Sequence, residues 1–388
     1  MLSLRVALGS RPEVMLRRLL VVAAAAGTGF LLLAVLGRAL AHPEDAPDGL
    51  IGLLWCAVPF AATMHLSVLV ARTEPGGRLH AALTAAGLGR RGLLLSAAAT
   101  SALNCALGVL LGLLVFLFLR GDLPGPHFAA AARALGADRE LPLAGALTLA
   151  ATLPLAAAIS GAVVLHRRQS RREPATREGR TPTGLPWGVA LVAIGLAVRV
   201  LSAGDPGAAA SASALPLPGG LGRVGPAVVV GWLLTAGGIV LAMPGLVHLC
   251  GRLLAVYRPG VLRLLAGRAL QEEAALVGRP LGVLCAVAAT GLAGTVLAGG
   301  ERIGAASHPV GPLTVLGAVL VVLSAVATAL TATVDAKRAR RPATAALTRL
   351  GAPAPLLRGA AAVRALSVLG VALPLTLLVA RLGTLPLP

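Results

Sequence analysis

The chain has 388 residues, 57% of them hydrophobic and 13% charged, with a formal net charge of +19 at pH 7 and a mean hydropathy of +0.86. Soluble domains lie nearer half apolar and a quarter charged, so this composition excludes a soluble globular fold and predicts an all-α polytopic membrane protein. Nucleic-acid binding is disfavoured as well, because aromatics make up only 2% of the chain and the arginines sit beside apolar runs, where membrane topology places them.

Residues 1–18 are predicted to form a cytoplasmic amphipathic lead-in on the membrane surface. Arg17 and Arg18 before an apolar run imitate a signal peptide. The run exceeds a typical signal-peptide h-region, however, and Arg38 interrupts the cleavage region, which predicts an uncleaved first span. Crossing the hydrocarbon core takes about 20 predominantly apolar residues. Nine runs qualify: 19–40, 50–71, 93–119, 141–165, 185–203, 227–249, 281–299, 313–334 and 363–382.

Four of these spans fall in 19–166. A basic cytoplasmic linker covers 167–184, and two connecting spans fill 185–249. Residues 250–280 read as a cytoplasmic lead-in to the last three spans, within 281–388. Pro59, Pro154, Pro244 and Pro374 lie inside spans, as gating kinks or as prolines tolerated in a packed bundle. The loops opposite the basic segments are short, so any substrate is met in or near the membrane.

Orientation follows from the basic residues. With the N-terminus inside, 26 of the 34 lysines and arginines fall in cytoplasmic segments and five in the opposite loops, which predicts a cytoplasmic N-terminus. Lysine occurs once, at Lys337, while arginine, alanine, glycine and proline abound; that is the codon bias of a high-GC bacterium, and the cell membrane is the expected location. Cys56, Cys105, Cys250 and Cys285 lie in or at the ends of apolar runs without metal-like spacing, which predicts free thiols. The seven histidines are scattered, so no metal site is expected.

A short string recurs: AALTAAG at 81–87 and AALTRLG at 345–351. On a helix, Leu79, Ala82, Leu83 and Ala86 form one apolar face, and Ala343, Ala346, Leu347 and Leu350 repeat its phase. Gly87 and Gly351 stand where a glycine ends a helix, with Pro353 just beyond the second. Each copy is predicted to be a short amphipathic helix on the cytoplasmic surface joining two consecutive spans. Such helices either anchor loops at the interface or receive force from a cytoplasmic partner.

The segment RLHAALTAAGLGRRGLLLSAAATSAL from Arg78, with the span to Leu119, resembles the FtsX-like (MacB-type) permease domain of ABC transporters. RPATAALTRLGAPAPLLRGAAAVRAL from Arg341 looks like its second copy. The resemblance covers roughly 50–166 and 313–383 and implies about nine, alternatively ten, transmembrane helices in two repeats with cytoplasmic coupling helices. The second repeat is apparently shortened. In place of the acidic residue that often follows the first arginine stand Leu79 and Pro342. The resemblance further implies that Arg78, Leu79, Leu83, Thr84, Gly87, Arg90 and Arg91, and Arg341, Leu347, Thr348, Arg349 and Gly351, contact a separate ATPase. It also implies a homodimer or a heterodimer with a sister permease.

A P-loop needs a lysine that reaches the phosphates, and Lys337 lies in Val-Asp-Ala-Lys-Arg-Ala. The chain is therefore expected not to be an enzyme itself and to carry no cofactor, ATP being bound by the partner subunit. No carboxylate or lysine sits mid-span, which disfavours an ion-coupled carrier. His65 and Asn104 lie inside spans, lining a substrate path or hydrogen bonding between helices. Arg199, near the outer end of its span, is expected to snorkel. The leading function is an ATP-coupled permease subunit moving an amphipathic or lipid-like substrate or relaying a mechanical signal. The alternative is a non-transporting scaffold whose basic inner face recruits a protein or anionic lipid.

Overall fold

The computed structural model describes residues 12–41, 46–73, 90–122, 132, 135, 137, 142–170, 184–203, 215–216, 223–256, 260–301 and 311–384. Among these residues ten α-helices follow one another: α1 (Pro12–Ala41), α2 (Ala46–Trp55), α3 (Ala57–Thr73), α4 (Arg90–Arg120), α5 (Leu143–Ser170), α6 (Gly184–Ala203), α7 (Pro226–Val256), α8 (Val261–Glu301), α9 (Pro312–Arg349) and α10 (Ala354–Thr384). Between α6 and α7, β1 (Leu215–Pro216) pairs antiparallel with β2 (Arg223–Val224), Leu215 opposite Val224.

Among the described residues, nine helical segments are long and apolar enough to cross a membrane, and each overlaps one of the nine predicted runs, the seventh only in part (Val261–Ala293 against 281–299). The protein is an all-α polytopic membrane protein. The second span is built from α2 and α3, interrupted at Cys56. Pro59 explains the break, since it has no N–H to offer the Trp55 carbonyl four residues earlier. Pro154, Pro244 and Pro374, by contrast, lie inside uninterrupted helices.

The described parts of the predicted lead-ins are continuous with helices that carry spans. Residues 12–18 are the first turns of α1, opened by Pro12 at a position where its missing N–H costs little. Residues 261–280 are the first half of α8, carried by a run rich in leucine, alanine, arginine and glutamate, all strong helix formers.

The chain forms two compact units, Met1–Ala175 with Val310–Thr331, and Thr176–Pro309 with Ala332–Pro388. They divide the chain differently from the predicted repeats, because the first part of α9 packs in the first unit, where Leu320 lies over Gly27.

In the first unit α1 and α4 approach closely, since a Cβ at Gly108 would stand 2.5 Å from the Val22 carbonyl oxygen, and one at Gly112 would strike that of Ala26. The buried face of α4 carries Cys105, Val109 and Phe116. Its opposite face exposes Leu103, Leu107, Leu110 and Leu114, a leucine stripe at helical spacing that suits lipid rather than water. Polar groups inside the unit pair with one another: the Thr28 and Thr63 hydroxyls at 2.8 Å, and those of Ser67 and Ser101 at 3.0 Å.

The second unit packs α6, α7, α8, the remainder of α9 and α10. Its core gathers Ile239, Met243, Val247, Leu270, Ala286 and Val379. Glycines set the spacing of α6 against α7: a Cβ at Gly188 would lie 2.5 Å from the Ala242 nitrogen, and one at Gly195 2.6 Å from the Gly231 oxygen. Small residues at such crossings let backbones approach where lipid supplies no hydrophobic drive.

Candidate coupling site

The second AALT copy is the C-terminal end of α9, not a short helix of its own. No glycine occurs between Gly317 and Gly351, and alanine, arginine and leucine sustain the helix through Pro342. Thr344 and Thr348 return their hydroxyls to carbonyls of the same helix, Thr344 to Arg340 at 3.1 Å and Thr348 to Ala345 at 2.9 Å. These bonds satisfy the threonines locally.

The predicted glycine stop is present in full. Gly351 adopts φ +87°, the left-handed region that a side chain disfavours. Its N–H donates to the Thr348 carbonyl at 3.1 Å, and the Ala352 N–H donates to that of Leu347 at 3.0 Å. This pair of bonds is the Schellman arrangement, after which Pro353 prevents continuation and α10 begins at Ala354.

Residues 341–346 and 348–351 are all exposed, and Leu347 is half-buried. Leu350, in phase with Leu347 on the predicted apolar face, is 84% exposed. Arg341 and Arg349 flank this face and are exposed as well. The element therefore presents leucine and arginine together at the end of a helix that carries one of the spans.

At its base, Arg340 of α9 forms an ion pair with Glu273 of α8, their side chains 27% and 13% exposed. The Arg340 Nε–H also donates to its own Ala336 carbonyl at 3.2 Å. Arg364 of α10 adds its positive charge to the same carboxylate. One glutamate thus pairs α8 with α9 and lies within the field of a second arginine on α10, at a point the sequence marks only by the pair Glu272–Glu273 inside an arginine-rich segment.

Glu273→Gln leaves two arginines facing each other, whereas Arg340→Gln leaves Glu273 with Arg364. Thermal unfolding in detergent is therefore expected to show the larger loss for Glu273→Gln, with a coupling of about 1 kcal/mol between the two positions in a double-mutant cycle.

The first copy has less to show. Arg78, Leu79, Leu83, Thr84 and Gly87 lie outside the described residues, while Arg90 and Arg91 open α4. His65 is exposed on α3, whereas Asn104 is half-buried on α4 beside Ser67, Thr100 and Ser101 in a small crevice. The structure does not bring His65 into that crevice. There the Cys105 thiol lies 3.7 Å from the Ser67 hydroxyl.

All four cysteines are free, three buried and Cys250 half-buried. Among the described residues no cluster of three or more histidine, cysteine or carboxylate groups could hold a metal ion. No protein-family model, no curated protein and no solved structure matches the chain.

Proposed function

We propose that the chain is the permease subunit of an ABC transporter of the FtsX-like class, set in a bacterial cell membrane with its arginine-rich segments on the cytoplasmic side. The observation that carries the reading is the exposed end of α9, where Leu347 and Leu350 form an apolar face between Arg341 and Arg349 on a helix that also supplies a span. An interfacial anchor joined by loops would absorb a push. A continuous helix passes it along its axis, and the Arg340–Glu273 pair passes it sideways to α8.

The push must come from a separate polypeptide, since the sole lysine lies in no P-loop. The reading then has ATP bound and hydrolysed by a partner ATPase, and a membrane subunit that works as a homodimer or with a sister permease on an amphipathic or lipid-like substrate. The test is isolation of the tagged chain from its own membrane. A P-loop ATPase is expected to accompany it in stoichiometric amount.

A further inference from the structure

The second unit contains a projecting hairpin that the coupling reading does not use. α6 has 20 residues, about 30 Å of helix and one hydrocarbon thickness, so its start marks one face of the membrane. Trp187, exposed in the first turn of α6, stands where tryptophan rings meet lipid head groups. That level falls at Gly245 of α7, where a Cβ would stand 2.6 Å from the Leu185 Cβ.

α7 and α8 do not stop there. α7 runs on to Val256, about 16 Å further, and α8, whose Gly278 packs on Pro244, begins at Val261, about 25 Å from that contact. Tilt does not account for the extra length, because α6 packs on the same α7 and crosses with 20 residues. Glycines hold the projecting part together: a Cβ at Gly251 would lie 2.7 Å from the Gly267 oxygen, with Leu270 buried beside it.

The outer faces of the projection are apolar. Leu253 and Val256 of α7 and Val261 and Leu264 of α8 are exposed, Val256 by 73%. A leucine on a span faces lipid, but these residues stand beyond the hydrocarbon, where a patch of exposed apolar groups marks an interaction surface. Arg252, Arg263 and Arg268 are exposed among them, and the sequence has no carboxylate between Asp205 and Glu272. The tip is thus an apolar patch ringed by positive charge. A lipid surface carries the complementary charge, but both helices lead the tip away from it. The complement is a protein face with an apolar patch bordered by carboxylates.

The tip also lies beside the coupling element. Leu262 packs on the second turn of α10, where a Cβ at Gly359 would stand 3.2 Å from its Cδ1, and α10 follows directly on the Gly351 turn that ends α9. We propose that the α7–α8 tip is a second docking surface for the ATPase that engages α9, met by an apolar patch bordered by carboxylates on that subunit. The assignment rests on the permease reading and extends it from one contact to two. A motor held on two helices shifts one against the other, whereas a single contact moves the unit as a whole.

The test uses the full tagged chain and the P-loop ATPase that accompanies it. Leu253→Asp with Val261→Asp is expected to lower ATPase recovery at least roughly tenfold, the loss that two buried aliphatic contacts imply, with the thermal midpoint unchanged. Arg252→Glu with Arg263→Glu is expected to lower it as well, and Arg252→Lys with Arg263→Lys to retain it. A thiol-linked photo-cross-linker on Val256→Cys needs no loss of binding to be read and is expected to capture the ATPase. Full recovery with either the aspartate or the glutamate pair, while Leu347→Asp with Leu350→Asp still removes the ATPase, overturns the second surface and leaves the α9 reading in place. Cross-links from the Val256→Cys probe to lipid alone also overturn it. Absence of any ATPase from the unaltered chain overturns both.

Discussion

Replacing Leu347 and Leu350 together with aspartate is expected to reduce co-isolation of the partner ATPase by at least roughly tenfold, while the chain itself keeps its thermal midpoint in detergent. Leu350 is 84% exposed and Leu347 half-buried, so neither contributes much to the fold, and exposed substitutions usually stay within about 0.5 kcal/mol. Burying a leucine side chain against a partner is worth about 1.5–3 kcal/mol, so losing two exceeds the tenfold level. Aspartate adds a second penalty, a charge that would have to lose its water against the partner.

Leu350→Ala should give a partial effect in the same assay. A scaffold that recruits anionic lipid would behave otherwise. It would respond to Arg341 and Arg349 and not to the leucines.

Gly238→Leu is expected to abolish monodisperse protein, whereas Gly237→Leu, one residue away, is tolerated. A Cβ at Gly238 would stand 2.7 Å from both the Gly188 oxygen and the Val192 nitrogen, whereas at Gly237 nothing lies within 4 Å. Both of these atoms are backbone of α6, so no side chain can turn away to relieve them. Overpacking costs about 1–3 kcal/mol where neighbours can yield, and here they cannot. Gly188 and Gly195 on α6 repeat the contact one heptad apart, so separating the helices at Gly238 loosens the whole interface. Size-exclusion profiles of the two variants decide it, and equal profiles would remove the glycine crossing as the organiser of this unit.

The nine spans were legible because a membrane helix must satisfy its backbone internally and be apolar over a fixed length, and both demands appear directly in the residue string. The stop at Gly351 was legible for a similar reason, since few residues other than glycine adopt its φ.

The start of the same element was not legible. Pro342 resembles a helix opener, and only the lack of any glycine after Gly317 shows that the helix never ended. The first copy differs in this respect, because Pro75, Gly76 and Gly77 precede it.

The grouping of spans into units could not be read either. Alanine and glycine face both partner helices and lipid in this chain, so composition does not say which faces meet. Arg199 illustrates the same limit. Its place near a span end was evident, but Gly231 and Trp232 redirect it, and they lie on another helix more than thirty residues away.

The central claim is that the end of α9 is where an external motor engages. Leu350→Cys, in a chain whose native cysteines are buried or half-buried, gives one exposed attachment point for a thiol-linked photo-cross-linker in native membranes. The account predicts a cross-linked product between this chain and a P-loop ATPase, lost when Leu347→Asp is added. Cross-links to lipid alone, or to no nucleotide-binding protein, would contradict it.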